Sequence, residues 1–235
     1  MSRKAIAWLK VLVHGLCLLP LLHLVQMYRT GVLASLSDPV QFLTHFTGNW
    51  ALWLLLADLA ITPLRRLSPK LAWLIRFRRM VGLYAFFYAT LHLLVYVFLF
   101  SGYDVATAMS GLRVHQWSAP WQQLKLICPT MLDDVKKRAF IQFGLATWLL
   151  LLALAATSPQ RVLRAMGGRN WQRLHRLVYL AGLLALMHFW WSLKKGNNTP
   201  WKDAVVFFAL MLARLAWWGW QRWKKSRPGT KLAAV

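Results

Sequence analysis

The sequence predicts an all-α integral membrane protein, a bundle of six transmembrane helices with both termini in the cytoplasm. Three observations predict it. Of 235 residues 58% are hydrophobic and only 15% charged, against roughly 25% charged in an average soluble domain. The apolar residues gather into six long runs with few charges, which read as membrane helices. Of the 29 Lys and Arg, 27 sit in short blocks outside those runs or at their ends, where the positive-inside rule places them. That placement excludes nucleic acid as the reason for a net charge of +23. The chain reads as a single transmembrane domain over 1–235, with a core from about 5 to 220 and a basic cytoplasmic tail over 221–235.

The first run spans about Ala5 to Tyr28, with Pro20 as a candidate kink. It exceeds the usual signal-peptide core of about 7–15 residues and no clear A-x-A site follows, so it reads as a retained helix. Arg29 to Thr47 reads as a loop. Asn49 to Leu64 is the second run, ended by Pro63 and followed by Arg65, Arg66, Lys70, Arg76, Arg78 and Arg79. Met80 to Phe100 is the third. A long loop, Ser101 to Arg138, carries Trp117, Trp121 and the Asp133/Asp134 pair. Phe140 to Thr157 is the fourth run, and a basic loop, Ser158 to Arg173, leads to the fifth, Trp171 to Leu193. A link with Lys194, Lys195, Gly196, Asn197 and Asn198 precedes the sixth, Ala204 to Trp220, and the tail RWKKSRPGTKLAAV. Eighteen basic residues fall on the side of the N-terminus, second and fourth loops and tail, and nine on the other. This bias sets the orientation. Tryptophans near the run ends fit an interfacial belt. Cys17 lies in the first run and Cys128 in the long loop, so a disulfide between them is not expected, and neither has a C-x-x-C-H context for covalent haem.

An ionisable residue inside an apolar run marks a function by default and needs a partner. His188 stands inside the fifth run and His175 at its basic entrance. His92 is twelve residues past Met80, and His188 thirteen past His175. Both runs cross from inside to outside, so at about 1.5 Å per residue the two imidazoles lie roughly 18–20 Å from the cytoplasmic ends of their helices. Two readings are open. The pair are axial ligands of one b-type haem, or they are buried histidines bonded to neighbouring helices. Zinc would want further ligands. Thirteen residues turn a straight helix through about 220°, so His175 and His188 do not share a face. The residue thirteen before His92 is Arg79, so a symmetric second pair is missing. His175 could serve a second haem, contact a quinone or flavin, or cap the inner end. His14, His23 and His45 read as packing or hydrogen-bonding residues and His115 as solvated. The loop bearing Arg161, Arg164, Gly167, Gly168, Arg169 and Arg173 could hold a phosphate such as that of FMN, or reflect the positive-inside rule alone. It has no dinucleotide fingerprint.

WLKVLVH with LLP after it, THFTGNWAL, LADLAITPL, IRFRRMVGLYAFFYATLH and WQRLHRLVYLAGLLALMHFWWSLK resemble the haem-binding membrane subunits of the bacterial protein-methionine-sulfoxide reductase system (the MsrQ or YedZ family). These belong to the ferric reductase-like transmembrane superfamily, with the NADPH oxidases. The resemblance runs from about Trp8 to Lys194. It implies six helices, haem b and FMN, with His92, His175 and His188 on the family's haem-associated positions. His92 and His188 would be axial to the iron and His175 a ligand of any second haem. NADPH oxidases carry two histidines on each of two helices. Here the third helix has one, with Arg78 and Arg79 where the other would stand, so one or two haems are implied. The resemblance also implies a multi-pass protein of the bacterial inner membrane. It would pass electrons from the quinone pool or a cytoplasmic flavin reductase to a periplasmic molybdopterin methionine-sulfoxide reductase that repairs oxidised proteins. The residues agree on one point: the sequence shows no nicotinamide-binding domain and no evident site for sulfoxide chemistry, so donor and acceptor are separate. The rival expectations are a stand-alone ferric or quinone-linked reductase, and a small transporter whose histidines relay protons.

Overall fold

The computed structural model describes residues 2–193 and 200–226. Among the described residues ten α-helices follow in order: α1 (Arg3–Arg29), α2 (Pro39–Leu67), α3 (Ile75–Val95), α4 (Val105–Arg113), α5 (Ala119–Lys137), α6 (Ala139–Ala156), α7 (Gln160–Met166), α8 (Gly168–His175), α9 (Val178–Ser192) and α10 (Pro200–Ser226). A 3-10 segment, Pro69–Leu74, precedes α3 and a π-helical turn, Tyr96–Phe100, follows it. No strand occurs among the described residues. The six apolar runs map in order onto α1, α2, α3, α6, α9 and α10. By length and composition, four stretches can cross a membrane: Lys4–Arg29, Pro69–Phe100, Ala139–Ala156 and Pro200–Lys224.

Several boundaries depart from the sequence expectation. The loop expected up to Thr47 is shorter, because Asp38 caps α2 by accepting from the Gln41 N–H at 2.8 Å and Pro39 opens its first turn. Pro63 does not end α2, which continues to Leu67. The long outer loop is two helices. Asp104 caps α4, accepting from Thr107 N and Oγ1 at 2.9 and 2.6 Å, and these bonds hold its carboxyl below the usual range. Pro120 sits in the first turn of α5. The fifth run is not one helix: α8 stops at His175 and α9 starts at Val178. The link at 194–199 and the tail beyond Ser226 lie outside the described residues.

In lipid, helices associate by close packing rather than by exclusion of apolar surface from water, so small residues sit at contacts. The core follows this rule. Leu52, Leu55, Leu56 and Leu59 of α2 meet Ala85 of α3, Leu151 and Leu154 of α6, Ala181 and Leu186 of α9, and Phe207 of α10. A Cβ at Gly182 would stand 2.6 Å from the Phe207 ring, so a larger residue there forces α9 from α10. The helix α2 packs along α3, and α6 along α9.

The helix α1 is tied to α3 through Tyr88, which is fully buried. Its hydroxyl donates to the Cys17 carbonyl at 2.8 Å and accepts from the Leu21 N–H at 3.2 Å. Those groups are four residues apart, partners in an uninterrupted helix. The Tyr88 hydroxyl bridges them beside Pro20, and α1 continues through.

Candidate functional site: a paired-histidine cradle

His92 on α3 and His188 on α9 face each other, ring centroids 5.8 Å apart and planes at 79°. Each ring is held by the helix that packs along its own. His92 Nδ1 donates to the Thr44 carbonyl of α2 at 2.9 Å, and His188 Nδ1 donates to the Phe140 carbonyl of α6 at 2.7 Å. A carbonyl can only accept, so both Nδ1 atoms carry the proton and each Nε2 keeps its lone pair. That is the tautomer a metal-ligating histidine adopts when its second nitrogen bonds a carbonyl. The Thr47 hydroxyl, which donates to the Leu43 carbonyl at 2.7 Å, lies 3.4 Å from His92 Nδ1. Phe140 also borders the His188 ring, at 6.0 Å between centroids.

Two glycines complete the cradle. A Cβ on Gly48 would stand 3.1 Å from His92 Nδ1, and one on Gly144 would stand 2.7 Å from His188 Nδ1. Carbonyl, glycine and histidine recur in the second half at a constant shift of 96 residues: Thr44, Gly48 and His92 become Phe140, Gly144 and His188. The residues fit a bis-imidazole haem: each Nε2 is without a hydrogen-bond partner among the described residues, and a glycine on the facing helix stands where a Cβ would press on each ring.

His175 is placed elsewhere. Its Nε2 bonds Thr157 Oγ1 at 3.2 Å and its ring stacks on Trp171 at 3.8 Å. Trp171 Nε1 donates to the Thr157 carbonyl at 2.9 Å. The three residues form a clasp at the α6 end, and the chain turns at Arg176 and Leu177 before α9 begins. His14 bonds the Tyr84 hydroxyl at 2.9 Å. His115 lies outside the helices with φ 63.

About 21 Å along α2 and α3 from the cradle stands an ion pair, Arg78 Nε to Asp58 Oδ1 at 3.7 Å. Arg214 of α10 reaches the same region: it donates to the Leu59 and Leu210 carbonyls, and its guanidinium lies 5.3 Å from the Tyr179 ring centroid. Thr62 Oγ1, Arg65 Nε and Arg214 Nε are buried without hydrogen-bond partners among the described residues. Sequence reasoning missed this cluster. It also missed Gly48 and Gly144, whose one trace is a Gly followed 44 residues later by a His, twice.

Residues 47–186 match the family described as "Ferric reductase like transmembrane component". The match includes Gly48, His92, Gly144 and His175 and stops two residues before His188. A haem-binding subunit MsrQ of protein-methionine-sulfoxide reductase from Ralstonia nicotianae is 38% identical over 226 residues, 96% of this chain and 91% of that protein. The subunit of that name from Xanthomonas axonopodis pv. citri is 44% identical over 220 residues, 92% of this chain and 86% of that one. That from Xanthomonas campestris pv. campestris is 40% identical over 231 residues, 96% and 91% of the two chains. No solved structure matches. The chain is a multi-pass membrane protein that belongs to the ferric reductase-like transmembrane family and, within it, to the MsrQ subunits of protein-methionine-sulfoxide reductase.

Proposed function

We propose that this chain is a haem-b electron relay of the bacterial inner membrane. It takes electrons from the quinone pool or a cytoplasmic flavin reductase and hands them to a periplasmic molybdopterin methionine-sulfoxide reductase. The observation that carries the reading is the pair of inward-facing imidazoles, each fixed by a backbone carbonyl with Nε2 left bare. The names of the relatives, haem-binding subunits all, support it. Haem bound there supplies one-electron chemistry at a potential tuned by its ligands and burial. His92 and His188 would hold the iron through Nε2. Thr44 and Phe140 draw on the Nδ1 protons and so raise the basicity of both imidazoles. The Phe140 ring beside His188 helps to exclude water.

One haem per chain is the reading the residues favour. His175 spends Nε2 on Thr157, and the third helix has Arg79 where a partner would stand. Six crossings are read from the six apolar runs, and cytoplasmic termini from the bias of basic residues. On that orientation the Asp58–Arg78–Arg214 cluster lies at the inner end. Its unpartnered Thr62 Oγ1, Arg65 Nε and Arg214 Nε suit the phosphate of FMN. The α4–α5 hairpin is then outside, with Trp117 and Trp121 at 75% and 59% exposure, and is proposed to receive the partner.

The test is the absorbance of the purified protein, oxidised and dithionite-reduced, with a haem count. Sharp b-type bands at one haem per chain are expected, and their loss in His92→Ala and in His188→Ala. A colourless protein from haem-replete cells sinks the relay. Full haem in both variants sinks the ligand assignment.

A further inference from the structure

We propose that Gly48 and Gly144 are positioning residues: their missing side chains let each imidazole reach the carbonyl four residues earlier on the facing helix, and so lock the two rings nearly perpendicular. The inference rests on the haem reading and goes beyond it, from which residues would bind the iron to what fixes their orientation.

In an α-helix the carbonyl of residue i already accepts the N–H of residue i+4. A second donor must approach its remaining lone pair from the outer side of the helix, beside the Cβ of residue i+4. Thr44 and Phe140 are such doubly used acceptors, and the residues four further on are Gly48 and Gly144. Glycine is needed here for close approach, since neither has a positive φ. The same solution appears twice, 96 residues apart, once where α2 packs along α3 and once where α6 packs along α9.

The halves are not equally tight. A Cβ on Gly48 would meet His92 Nδ1 and Cε1 at 3.1 and 3.2 Å, which a small ring shift relieves. On Gly144 it would meet the same atoms of His188 at 2.7 and 2.9 Å, and the ring must move. Moving the ring does two things. It turns the imidazole plane from its 79° setting, and it lengthens the Nδ1–H···O=C bond. Near-perpendicular axial imidazoles leave the ferric iron orbitals nearly degenerate and give a low-spin signal dominated by one large g value. Turning the planes toward parallel lowers that value. A weaker bond at Nδ1 makes the imidazole a poorer donor to iron, which favours the ferrous state and raises the midpoint potential.

The experiment is low-temperature electron paramagnetic resonance and potentiometric titration of the detergent-purified full chain, as wild type, Gly48→Ala, Gly144→Ala and Gly15→Ala. Gly15 has nothing within 4 Å of where its Cβ would stand, so it is the control. Wild type and Gly15→Ala are expected to share a single large g feature. Gly144→Ala is expected to lower it and move the potential upward, and Gly48→Ala to do the same by less. If Gly144→Ala does not accumulate folded, Gly48→Ala decides alone. Haem-replete alanine variants with the wild-type g value and potential overturn the inference while leaving the haem reading intact. Haem-replete wild type with the rhombic signal of parallel rings overturns the inference too. A wild type without haem overturns the reading beneath it, and the inference with it.

Discussion

Replacing Asp58 by asparagine keeps the shape of the side chain and removes its charge. Its carboxylate lies 3.7 Å from Arg78 Nε, with side-chain exposures of 7% and 32% for the two partners. At an effective dielectric of about 20 the attraction is about 4.5 kcal/mol. Removing one partner of a buried pair costs about 3–5 kcal/mol, because the other charge stays behind unpaired. Arg78 is one-third exposed and can turn to solvent, so about 3 kcal/mol is expected. For a chain of this size that lowers the melting temperature by about 6–12 °C. The assay is thermal unfolding in detergent by near-ultraviolet dichroism, run as a double-mutant cycle with Arg78→Gln. The double variant should recover at least about 1 kcal/mol relative to the sum of the singles. The haem spectrum should be unchanged, since the pair stands about 21 Å along α2 and α3 from the cradle. An Asp58→Asn protein within about 0.5 kcal/mol of wild type, or strict additivity with Arg78→Gln, refutes the reasoning.

His175→Ala is expected to keep the full haem complement and band positions. It should lose about 1–3 kcal/mol of stability, from one hydrogen bond and the Trp171 stack; a halved haem count in pyridine haemochrome assay would mark His175 as a ligand instead. The double substitution Trp117→Ser/Trp121→Ser should leave fold and haem intact. It should slow electron delivery to the purified sulfoxide reductase by about 30-fold, the loss expected of a central docking contact worth about 2 kcal/mol. Unchanged delivery removes α4–α5 from the interface.

What the sequence made legible was what hydropathy and residue type record. The apolar runs announced their helices, and His92 and His188 stood out because an imidazole in a membrane run is rare. Counts of twelve from Met80 and thirteen from His175 put them at nearly one level, and their rings do meet. The connecting segments were harder. Short amphipathic helices such as α4 and α5 carry no long apolar run, and their signs are local: Asp104 three residues before Thr107, and Pro120 in a first turn. The break at Arg176–Leu177 has no glycine or proline to announce it. It follows from a tertiary clasp, Trp171 and His175 on Thr157. The cradle was the least legible, because its acceptors are backbone carbonyls. Thr44 and Phe140 share no side-chain chemistry, and a carbonyl leaves no letter in a sequence. Only the glycines and their repeated spacing record it.

The Tyr88 bridge to α1 bears on how the chain is put together. In a bilayer no water is at hand to satisfy an opened rung. When α1 enters the membrane, Cys17 and Leu21 flank a proline, and the hydroxyl that bridges them has not yet been synthesised: it lies 71 and 67 residues further along. The N-terminal helix therefore enters the membrane without this bridge and gains it only when α3 arrives. Because that bridge is one hydroxyl at one height, it fixes the register of α1 against α3 as well as their adjacency. A membrane helix is usually pictured as self-sufficient in its backbone bonds before it meets a neighbour. Here two backbone groups of the first helix also engage a hydroxyl of the third, and insertion order becomes part of the fold.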